Sequence, residues 1–527
     1  FDAVAVEGRA EEPKYLYIED EVFKLLDASD LWGKNTHEVQ EICKSRHGQN
    51  SRVLQIGPAG ENLVKYSCVT NELRHFNGRG GIGAVMGYKK LRAIVVKNTR
   101  KTLPVYDEDG LKALASYVNR DIRKHPALGP HHELGTTRFL LAQNAGGMLP
   151  TRNFQDGEFE GADRESGEEI YRRFGAGSHT CFGCTVSCKR KMKEVENSVV
   201  KTSEYGGPEY ESIAVLGPLL GIDDAAAVVE LNALCNSFGL DTISTGVSIA
   251  WLIEAMEKEP ELELFRGLEP VGWNEPEKVR KLIKDISGRA GVGDVLAEGA
   301  KIAAERAGGD TLDYAMQVKG QEFPAHEPRG KWNVGLGMAV NSAGADHLVA
   351  AHDPVFDHEG DSSAQFGGAD LSDVESLGLI DALESESLSP KKIRNFVYLQ
   401  QLWTLHDVLS ICKFMFVPET RTYTLKHMIE LLEKATGWNT SLFDLMKCAE
   451  RSINLARLFN LRMGFSSDND SLPKRMFEPI GKGPLEGHAM DQTQFGEAVR
   501  LYYEMMGWDH SGTPTRGKLV ELGIEDF

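Results

Sequence analysis

Three cysteines within eight residues place the strongest constraint on how this chain can fold. The segment Cys181-Phe-Gly-Cys184-Thr-Val-Ser-Cys188 has the spacing Cys-x2-Cys-x3-Cys. Three thiolates this close in sequence can ligate three corners of one iron–sulfur cubane, so the fold must bring a fourth ligand from elsewhere. A zinc site is the alternative, but it needs a fourth Cys or His, and none follows at zinc-finger distance. We therefore favour an iron–sulfur cluster and keep three distant cysteines open as the fourth ligand: Cys235, Cys412 and Cys448.

Composition and charge exclude several classes of protein. The 527 residues are 41% hydrophobic and 26% charged, which is ordinary for a globular protein. With 59 Lys+Arg against 78 Asp+Glu the formal charge is −19, which argues against a nucleic-acid partner because phosphate binding needs clustered basic residues. The longest uncharged stretch of interest, residues 242–253, is well short of the roughly 20 residues of a membrane-spanning helix. Eight cysteines are too sparse for a disulfide scaffold and no secretory signal opens the chain, so we expect a cytoplasmic protein.

The pattern of apolar residues changes near residue 103. Before it, short apolar runs separated by turn residues predict a β-rich region. These runs are residues 3–6, 15–18, 52–56 and 91–96. After it, Asp223 or Asp224 can cap a helix that ends near Gly239, and Asp241 can cap a helix that runs to about Glu257. Further helices are expected at 294–307, 390–410 and 424–436, and the acidic, Gly- and Ser-rich residues 356–389 resemble a surface insertion.

A glycine-rich segment, Asn77-Gly-Arg-Gly-Gly-Ile-Gly83, contains a formal G-x-G-x-x-G. A dinucleotide site would need a strand before it, a crossover helix after it and an acidic residue about 20 positions on. Polar residues 70–75 precede it and only residues 84–90 separate it from the next apparent strand, so the dinucleotide interpretation fails. Two interpretations stay open. The segment is either a plain tight turn or a loop whose backbone, with Lys89, Lys90 and Arg92, binds phosphate.

Several further motifs lie in order along nearly the whole chain. They are Gly57-Pro-Ala-Gly-Glu61, Gly78-Arg-Gly-Gly-Ile-Gly-Ala-Val-Met-Gly87, Leu149-Pro-Thr-Arg-Asn-Phe154, Gly207-Pro-Glu-Tyr-Glu211, Asp241-Thr-Ile-Ser-Thr-Gly246, Glu327-Pro-Arg-Gly330, Gly344-Ala-Asp-His347, and the tail Gly507-Trp-Asp509 through Gly512-Thr-Pro-Thr515. With the cysteine segment they resemble the hallmark segments of the tungsten-containing aldehyde:ferredoxin oxidoreductase family. One such motif would be weak, whereas the ordered set is strong. The family begins with a further N-terminal segment, so we expect part of the first domain to precede Phe1.

The resemblance implies an α+β fold in three domains. Residues 1–103 would form a β-rich base under a pterin cofactor. Residues 104–310 would form a mostly helical domain that carries Cys181, Cys184 and Cys188, and residues 311–527 a second one that carries His347, Asp407 and Cys412. The two helical domains would enclose the cofactor at their junction, as buried sites often do.

The cofactors that the resemblance implies are a tungsten bis-molybdopterin (tungstopterin), a [4Fe-4S] cluster and a Mg²⁺ ion that joins the two pterin phosphates. Carried over position by position, Cys412 is the fourth cluster ligand. Arg79 lies between the cluster and the pterin phosphates, where its fixed, always charged fork suits a bridging role. Asp241 and Asp407 accept hydrogen bonds from the pterin rings, although each heads Asp-x-x-Ser where the family often has Asp-x-x-Gly. The remaining expected cofactor-binding residues are Gly80, Gly81 and Lys89.

The implied reaction is the oxidation of a small aldehyde to a carboxylic acid. It removes two electrons and needs water at the carbonyl carbon, with a carboxylate as base and a histidine as hydrogen-bond donor. His347 matches the family histidine, and the glutamate is Glu209 or Glu211, between which the sequence does not choose. His326 and His352 are second-tier candidates. The electrons would leave through the cluster to ferredoxin or an iron–sulfur partner subunit, and an oligomer is expected.

Two rival functions use the same sequence features. The first keeps the scaffold but reduces an aromatic ring, as in the catalytic subunit of class II benzoyl-CoA reductase, with a Cys235 thiolate on the metal. For Cys235 the plainer interpretation is a small buried hydrophobic side chain. The second is a non-catalytic scaffold that has lost the pterin. The joint presence of Arg79, Asp241 and Asp407 argues against it.

Overall fold

The N-terminal part of the chain folds into one mixed β-sheet. The structure is a computed structural model that describes residues 3–98, 103–119, 122–355, 371–380, 383–416 and 422–527. The strands of the sheet are β1 Lys14–Glu19, β2 Val22–Asp27, β3 Arg52–Gln55, β4 Val69–Asn71, β5 His75–Asn77 and β6 Leu91–Lys97. They lie in the order β2–β1–β6–β3–β4–β5. Strands β1 and β6 are parallel and the other neighbours are antiparallel.

The sheet buries the β-branched and aromatic residues that predicted it. Tyr15 and Tyr17 of β1, Val53 of β3 and Val95 of β6 share one buried cluster, which the helix Thr36–His47 covers. Such residues favour strands because they pack well on a pleated surface. The predicted strands at 15–18, 52–56 and 91–96 are therefore confirmed.

Two predictions about the N-terminal region are wrong. Residues 3–6 are exposed and belong to no strand, although the outer strands β2 and β5 each have one neighbour only. The polar residues 70–75 form most of the hairpin of β4 and β5, so a strand does precede the glycine-rich segment. The helix after that segment, Ile82–Tyr88, has only seven residues and leads into β6, which agrees with the absence of a dinucleotide crossover.

The rest of the chain is mostly helical, and the predicted α+β class is confirmed. The α-helices of the described residues are Thr36–His47, Pro58–Glu61, Ile82–Tyr88, Glu108–Asn119, Leu128–Leu134, Leu140–Ala145, Gly167–Phe174, Tyr210–Leu216, Ala225–Phe238, Thr242–Lys258, Pro276–Gly288, Val292–Leu296, Ala300–Ala307, Trp332–Val340, Pro390–Val408, Lys413–Phe416, Leu425–Thr436, Leu442–Arg462, Gln492–Met506 and Arg516–Leu522. Two small antiparallel hairpins interrupt them. Their strands are β7 Gly175–His179 with β8 Lys189–Met192, and β9 Gln317–Val318 with β10 Gln321–Glu322.

Most predicted helices begin at the expected caps. The side chain of Asp224 accepts a hydrogen bond from the amide of Ala226, and Asp241 accepts one from Ile243, both at 2.9 Å. The helices at 390–410 and 424–436 are also present. The prediction of one helix at 294–307 is wrong, because the chain breaks at Gly299, whose φ of +91° is outside the helical region. Of the predicted surface insertion at 356–389, residues 356–370 and 381–382 lie outside the described residues.

The sheet region contacts the helical region through close backbone approaches around Asp241. A Cβ atom on Gly57 would lie 2.1 Å from the carbonyl oxygen of Phe238, so only glycine permits this contact. Beside it, the amide of Cys68 donates to the carbonyl of Gly239 at 2.8 Å, and the amide of Asp241 donates to the carbonyl of Tyr66 at 3.1 Å. The backbone at the start of helix Thr242–Lys258 is therefore held by the segment that follows the Gly57 motif.

A buried ion pair joins three distant segments of the helical region. Arg475 donates to both carboxylate oxygens of Glu254, at 2.8 and 2.5 Å, and to the carbonyl oxygen of Asn153. The side-chain amide of Asn153 also donates to Glu254 at 2.6 Å. Asn153 belongs to the motif at 149–154 and has a φ of +55°. This motif thus has a structural role, which is to lock the helix Thr242–Lys258 to the segment around Arg475.

Within the described residues, no single helix is long and apolar enough to cross a membrane. One pair, Tyr210–Leu220 with Ala225–Phe238, meets the length and composition test only when joined across a bend of 119°. Nearly all of its residues are buried in the protein core.

Candidate functional site

The cysteine segment forms the tip of the hairpin of β7 and β8. Loop residues Cys181, Cys184 and Cys188 lie there, and Cys412 approaches them from the far part of the sequence. Burial raises the pKa of Cys188 to about 12, together with the charges of Glu209, Cys412 and Cys181 and against the charge of Lys189. Burial also raises the pKa of Cys412, and here the charges of Cys184 and Cys181 add to the effect. Because the charges of Cys412 and of the hairpin cysteines affect one another, Cys412 lies near the other three thiols.

The spacing of these thiols distinguishes between metals. Among the residues that the structure describes, no three of the sulfurs lie within 4.8 Å of one another. Tetrahedral zinc binds thiolates at about 2.3 Å, which would place the sulfurs about 3.8 Å apart. A cubane binds each thiolate at a separate iron corner and so holds its ligands farther apart. The described sulfurs are therefore not gathered around one point in the way that a single zinc ion requires.

Glu209 braces the hairpin next to the cysteines. Its Oε1 accepts a hydrogen bond from Nζ of Lys189 at 2.7 Å, and its Oε2 accepts one from the hydroxyl of Thr136. Burial alone would raise the pKa of Glu209, but the charge and hydrogen bond of Lys189 outweigh it and lower the pKa overall. Lys189 directly follows Cys188, so this carboxylate neutralises a cation at the cysteine site.

Glu211 faces a different group of residues. Its Oε1 lies 3.0 Å from Nε2 of His326 and 3.7 Å from Nε2 of His347, and its Oε2 accepts a hydrogen bond from the amide of Ala325 at 2.7 Å. The neighbouring Tyr210 hydroxyl donates to the carbonyl of Ala325 at 2.6 Å. The first turn of helix Tyr210–Leu216 is therefore docked on the loop that carries His326, and this docking aims the Glu211 carboxylate at the histidines.

The second-tier histidines His326 and His352 belong to the same group. The ring of His326 lies 4.7 Å from that of His347 and 4.4 Å from that of His352, between centroids. Nε2 of His352 lies 2.9 Å from the carbonyl oxygen of His347. Burial lowers the pKa of both His326 and His352 well below the ordinary value, so both rings are neutral at pH 7. Glu211 and His347 thus sit in a buried and mostly uncharged histidine group.

Arg79 connects the glycine-rich segment to Asp241. Its Nε donates to Oδ2 of Asp241 at 3.1 Å, and its two terminal nitrogens donate to the carbonyls of Ala345 at 2.7 Å and Glu322 at 2.6 Å. Ala345 lies two residues before His347. The guanidinium therefore joins the segment at 78–83, the cap of helix Thr242–Lys258 and the histidine loop.

The glycines after Arg79 have different structural roles. Gly81 has a φ of +69°, and a Cβ atom there would lie 2.1 Å from the carbonyl oxygen of Lys65. Gly80 has a φ of +82°, but a Cβ atom there would meet nothing within 4 Å. Gly81 is required by packing, whereas Gly80 leaves open space beside Arg79.

Two other expected cofactor-binding residues, Lys89 and Asp407, make their contacts away from Arg79 and Asp241. Lys89 lies at the opposite end of helix Ile82–Tyr88 from Gly81, and its Nζ donates to the carbonyl of Gly8 at 2.9 Å. Asp407 is 68% exposed and forms an ion pair with Lys413. It lines the same depression as Asp346, the neighbour of His347.

Cys235 lies inside helix Ala225–Phe238 and is fully buried. Burial raises the pKa of its thiol, and the nearby Asp241 charge raises it further. It is therefore a neutral thiol here, as expected of a buried hydrophobic cysteine.

Sequence reasoning missed Lys189, Thr136 and Lys331. Lys189 follows a cluster cysteine, and Lys331 follows the motif that ends at Gly330, but neither position predicts a buried ammonium group. Nζ of Lys331 lies 3.0 Å from Nδ1 of His326 and donates to Oε1 of Gln143 at 2.6 Å. A lysine next to a motif in an acidic chain is the sequence signal that could have identified Lys189 and Lys331. This signal is weak because most lysines are solvated.

Comparison with known proteins identifies the family. The family model described as aldehyde ferredoxin oxidoreductase, N-terminal domain, matches residues 1–98, and the model described as domains 2 and 3 matches residues 113–524. The chain belongs to the aldehyde ferredoxin oxidoreductase family. The resemblance drawn from the motifs is thereby confirmed.

Named relatives agree with this membership of the aldehyde ferredoxin oxidoreductase family. The chain is 35% identical over 532 residues to the tungsten-containing aldehyde ferredoxin oxidoreductase of Pyrococcus furiosus, and 36% identical over 532 residues to that of Thermococcus kodakarensis. Each match covers 100% of this chain and 82% of the relative. The chain is also 27% identical over 558 residues to the WOR-like subunit of an aliphatic sulfonate oxidoreductase from Pyrococcus furiosus, covering 99% of this chain and 80% of that protein.

A solved structure has the same fold as this family member. It is the active site complex BamBC of benzoyl coenzyme A reductase in complex with 1,5-dienoyl-CoA. The TM-score is 0.79, and the match covers 98% of this chain and 80% of that chain. At 22% identity the likeness shows the fold alone.

Proposed function

We propose that this protein is a tungsten-dependent oxidoreductase that oxidises small aldehydes to carboxylic acids. The observation that carries the proposal is the position of Glu211, whose Oε1 lies 3.0 Å from His326 and 3.7 Å from His347 in a buried group. A carboxylate beside a histidine is the pair that hydration and oxidation of a carbonyl group require. The tungsten-containing relatives named above support this substrate class.

The residues present fit an iron–sulfur cluster. The four thiols that would bind four iron corners are those of Cys181, Cys184, Cys188 and Cys412, and Nδ1 of His75 lies 3.7 Å from the Cys181 sulfur. The raised pKa values of Cys181, Cys188 and Cys412 favour the protonated thiols, so iron would replace those protons on binding. When bound, such a cluster supplies a one-electron carrier, and the acceptor we propose is ferredoxin or an iron–sulfur partner subunit.

The residues around Arg79 fit an anionic pterin cofactor. Arg79 offers a guanidinium, Gly80 leaves open space beside it, and Asp241 offers a carboxylate that can accept hydrogen bonds from ring N–H groups. Asp407 would accept the corresponding bonds from a second pterin, and a Mg²⁺ ion would join the pterin phosphates. Lys89 would contribute only long-range charge, because its Nζ is engaged with Gly8.

When bound, the tungstopterin supplies a two-electron acceptor next to the substrate. Oxidation of an aldehyde consumes water and releases two protons with the two electrons. Glu211 would take a proton from the attacking water, because its carboxylate is buried and held in place by the amide of Ala325. His347 would donate a hydrogen bond to the carbonyl oxygen as charge develops there. The second proton would be released to solvent.

Benzoyl-CoA reduction is the second candidate, because the solved structure with the same fold is a complex of benzoyl coenzyme A reductase. That reaction would need a thioester-binding channel to the same metal. The fully buried and neutral Cys235 does not favour a thiolate ligand on the metal. We therefore rank aldehyde oxidation first.

Elemental analysis and substrate assays of anaerobically purified protein test the proposal. We expect tungsten together with about four irons per chain, as one cubane requires. We also expect viologen dye reduction that depends on an aldehyde. Reduction of an aromatic thioester without aldehyde activity would select the second candidate. Zinc with neither tungsten nor molybdenum would overturn both.

A further inference from the structure

Behind the Glu211 carboxylate, the structure holds a buried lysine. Lys331 precedes the helix Trp332–Val340 and is fully buried. Its Nζ lies 3.0 Å from Nδ1 of His326 and donates to Oε1 of Gln143 at 2.6 Å. On the other side of the His326 ring, Nε2 lies 3.0 Å from Oε1 of Glu211. Lysine, imidazole and carboxylate therefore form one continuous chain of polar contacts.

The donors and acceptors in this chain determine the histidine tautomer. An ammonium group has only donors, so Nδ1 of His326 must accept the hydrogen bond from Lys331. The ring proton then sits on Nε2, which lies 3.0 Å from Oε1 of Glu211. Because His326 is neutral at pH 7, this choice of tautomer decides whether the nitrogen that faces Glu211 carries a proton.

The same tautomer argues against a metal ion in this group. The nearest ligand atoms of Glu211, His326 and His347 lie within 4.8 Å of one another, which is close enough to bind one. A metal on Nε2 of His326 would have to displace the proton that Lys331 directs there. We therefore assign no metal ion to these three residues.

Burial and the neighbouring carboxylates act in opposite directions on the pKa of Lys331. Burial lowers the pKa of Lys331 to about 7, opposed by the charges of Asp353, Glu211 and Glu327. Glu327 is paired with Arg329 at 2.8 Å, and Asp353 with another lysine. The charged neighbours that act on His326 are Lys331, His352 and His347.

We propose that Lys331 is a positioning residue for the Glu211–His347 pair, because its Nζ fixes His326 in the tautomer whose ring proton lies on Nε2, 3.0 Å from Oε1 of Glu211. This inference rests on the proposed function for its effect on turnover, but not for the tautomer itself. Lys331 touches neither substrate nor cofactor in this role. It acts through His326 and helps to hold the Glu211 carboxylate in one orientation.

The first experiment measures the tautomer directly in the purified holoenzyme. Selective ¹⁵N labelling of histidine gives distinct chemical shifts for protonated and unprotonated ring nitrogens, and the His326→Gln variant assigns the His326 signals. We expect the wild-type protein to show the Nε2–H form. We expect the Lys331→Met variant to show a mixture or the Nδ1–H form. An unchanged Nε2–H signal in that variant would overturn the inference.

Kinetics give the second measurement. In Lys331→Met we expect kcat to fall about tenfold, the effect of one lost hydrogen bond, with KM nearly unchanged. Wild-type kcat should decline as pH rises through about 7, where the Lys331 amine loses its proton, and the variant should lack this inflection. The double variant with His326→Gln should be no slower than His326→Gln alone. Additive losses would contradict an action through His326.

Two further variants keep the test interpretable. Lys331→Gln retains an N–H donor without the charge, so it should restore part of the Nε2–H signal if Lys331→Met folds poorly. Lys319→Met removes another buried lysine, which pairs with Asp470 at 2.7 Å, and should leave the His326 signal unchanged. If the enzyme turns over no aldehyde, the proposed function fails, whereas the tautomer result still decides the inference.

Discussion

Glu209 and Glu211 are two residues apart in the sequence, yet their carboxylates serve different sites. Glu209 accepts from Lys189 at 2.7 Å beside the cysteines, whereas Glu211 lies 3.0 Å from His326 among the histidines. The start of helix Tyr210–Leu216 falls between them, so the chain changes direction there. One short motif thereby connects the two centres through which electrons would pass.

This separation predicts opposite phenotypes for two matched substitutions. Glu211→Gln should lower aldehyde-dependent kcat by about 10²- to 10⁴-fold, because the general base is lost. Iron and tungsten contents should stay the same. Glu209→Gln should keep most of the activity but weaken the cluster, because Lys189 is left without its carboxylate. Metal analysis and steady-state kinetics on both variants measure these effects.

A large loss of kcat in Glu209→Gln, with activity mostly kept in Glu211→Gln, would assign the general base to Glu209. A loss of tungsten in Glu211→Gln would instead indicate that this residue holds the cofactor. Glu211→Asp provides a further control, since it keeps the carboxylate but shortens its reach to His326.

The cysteine site predicts which of the three open residues is the fourth cluster ligand. Cys412→Ser should lose iron and change the electron paramagnetic resonance spectrum of the reduced cluster, because its thiol converges with Cys181, Cys184 and Cys188. Cys235→Ser should keep about four irons per chain, as one cubane requires, since its thiol is buried inside a helix. Full iron content in Cys412→Ser would exclude it as a ligand.

Two neighbouring glycines give a test of backbone geometry. Gly80→Ala and Gly81→Ala both place a side chain at positive φ, which costs about 1–2 kcal/mol for an L-residue. Gly81→Ala adds a contact of 2.1 Å with the carbonyl oxygen of Lys65, so that segment must move. We expect Gly81→Ala to lower the midpoint of urea unfolding more than Gly80→Ala, and to displace Arg79. Equal midpoints would mean that the loop adapts without strain.

The sequence predicted the parts of the fold that depend on local patterns. Asp224 and Asp241 cap their helices as expected, because a capping side chain needs only its own helix. The strand predicted at residues 3–6 is absent, because a short apolar run becomes a strand only where the fold brings a partner strand beside it. The break at Gly299 was missed because helical periodicity continues on both sides of it.

The candidate site could be predicted from the sequence only as a set of residue types. The motifs named Glu209, Glu211 and His347, but the choice between the glutamates depends on where Ala325 and Lys189 lie in space. Lys331 carried no signal, because a lysine becomes buried only through the packing of distant segments. Local sequence patterns carry no information about such long-range contacts.

The buried pair of Glu254 and Arg475 gives the last prediction, on stability. Burial would raise the pKa of Glu254, but the hydrogen bonds and charge of Arg475 outweigh it, so the pKa is lowered. A carboxylate with a lowered pKa stabilises the fold above its unfolded pKa, about 4.3, and this stability is lost as pH falls through the folded value. Glu254→Gln should cost about 3–5 kcal/mol at pH 7, because Arg475 keeps a buried charge without its partner.

Urea unfolding of wild type and Glu254→Gln, compared between pH 7 and pH 3, measures both effects. The difference between the two proteins should shrink towards low pH, because the wild-type carboxylate becomes protonated there. The control is Glu430→Gln, which removes a surface partner of Lys426 at 3.9 Å and should not change the midpoint. A constant difference at all pH values would show that Glu254 acts by packing and not by charge.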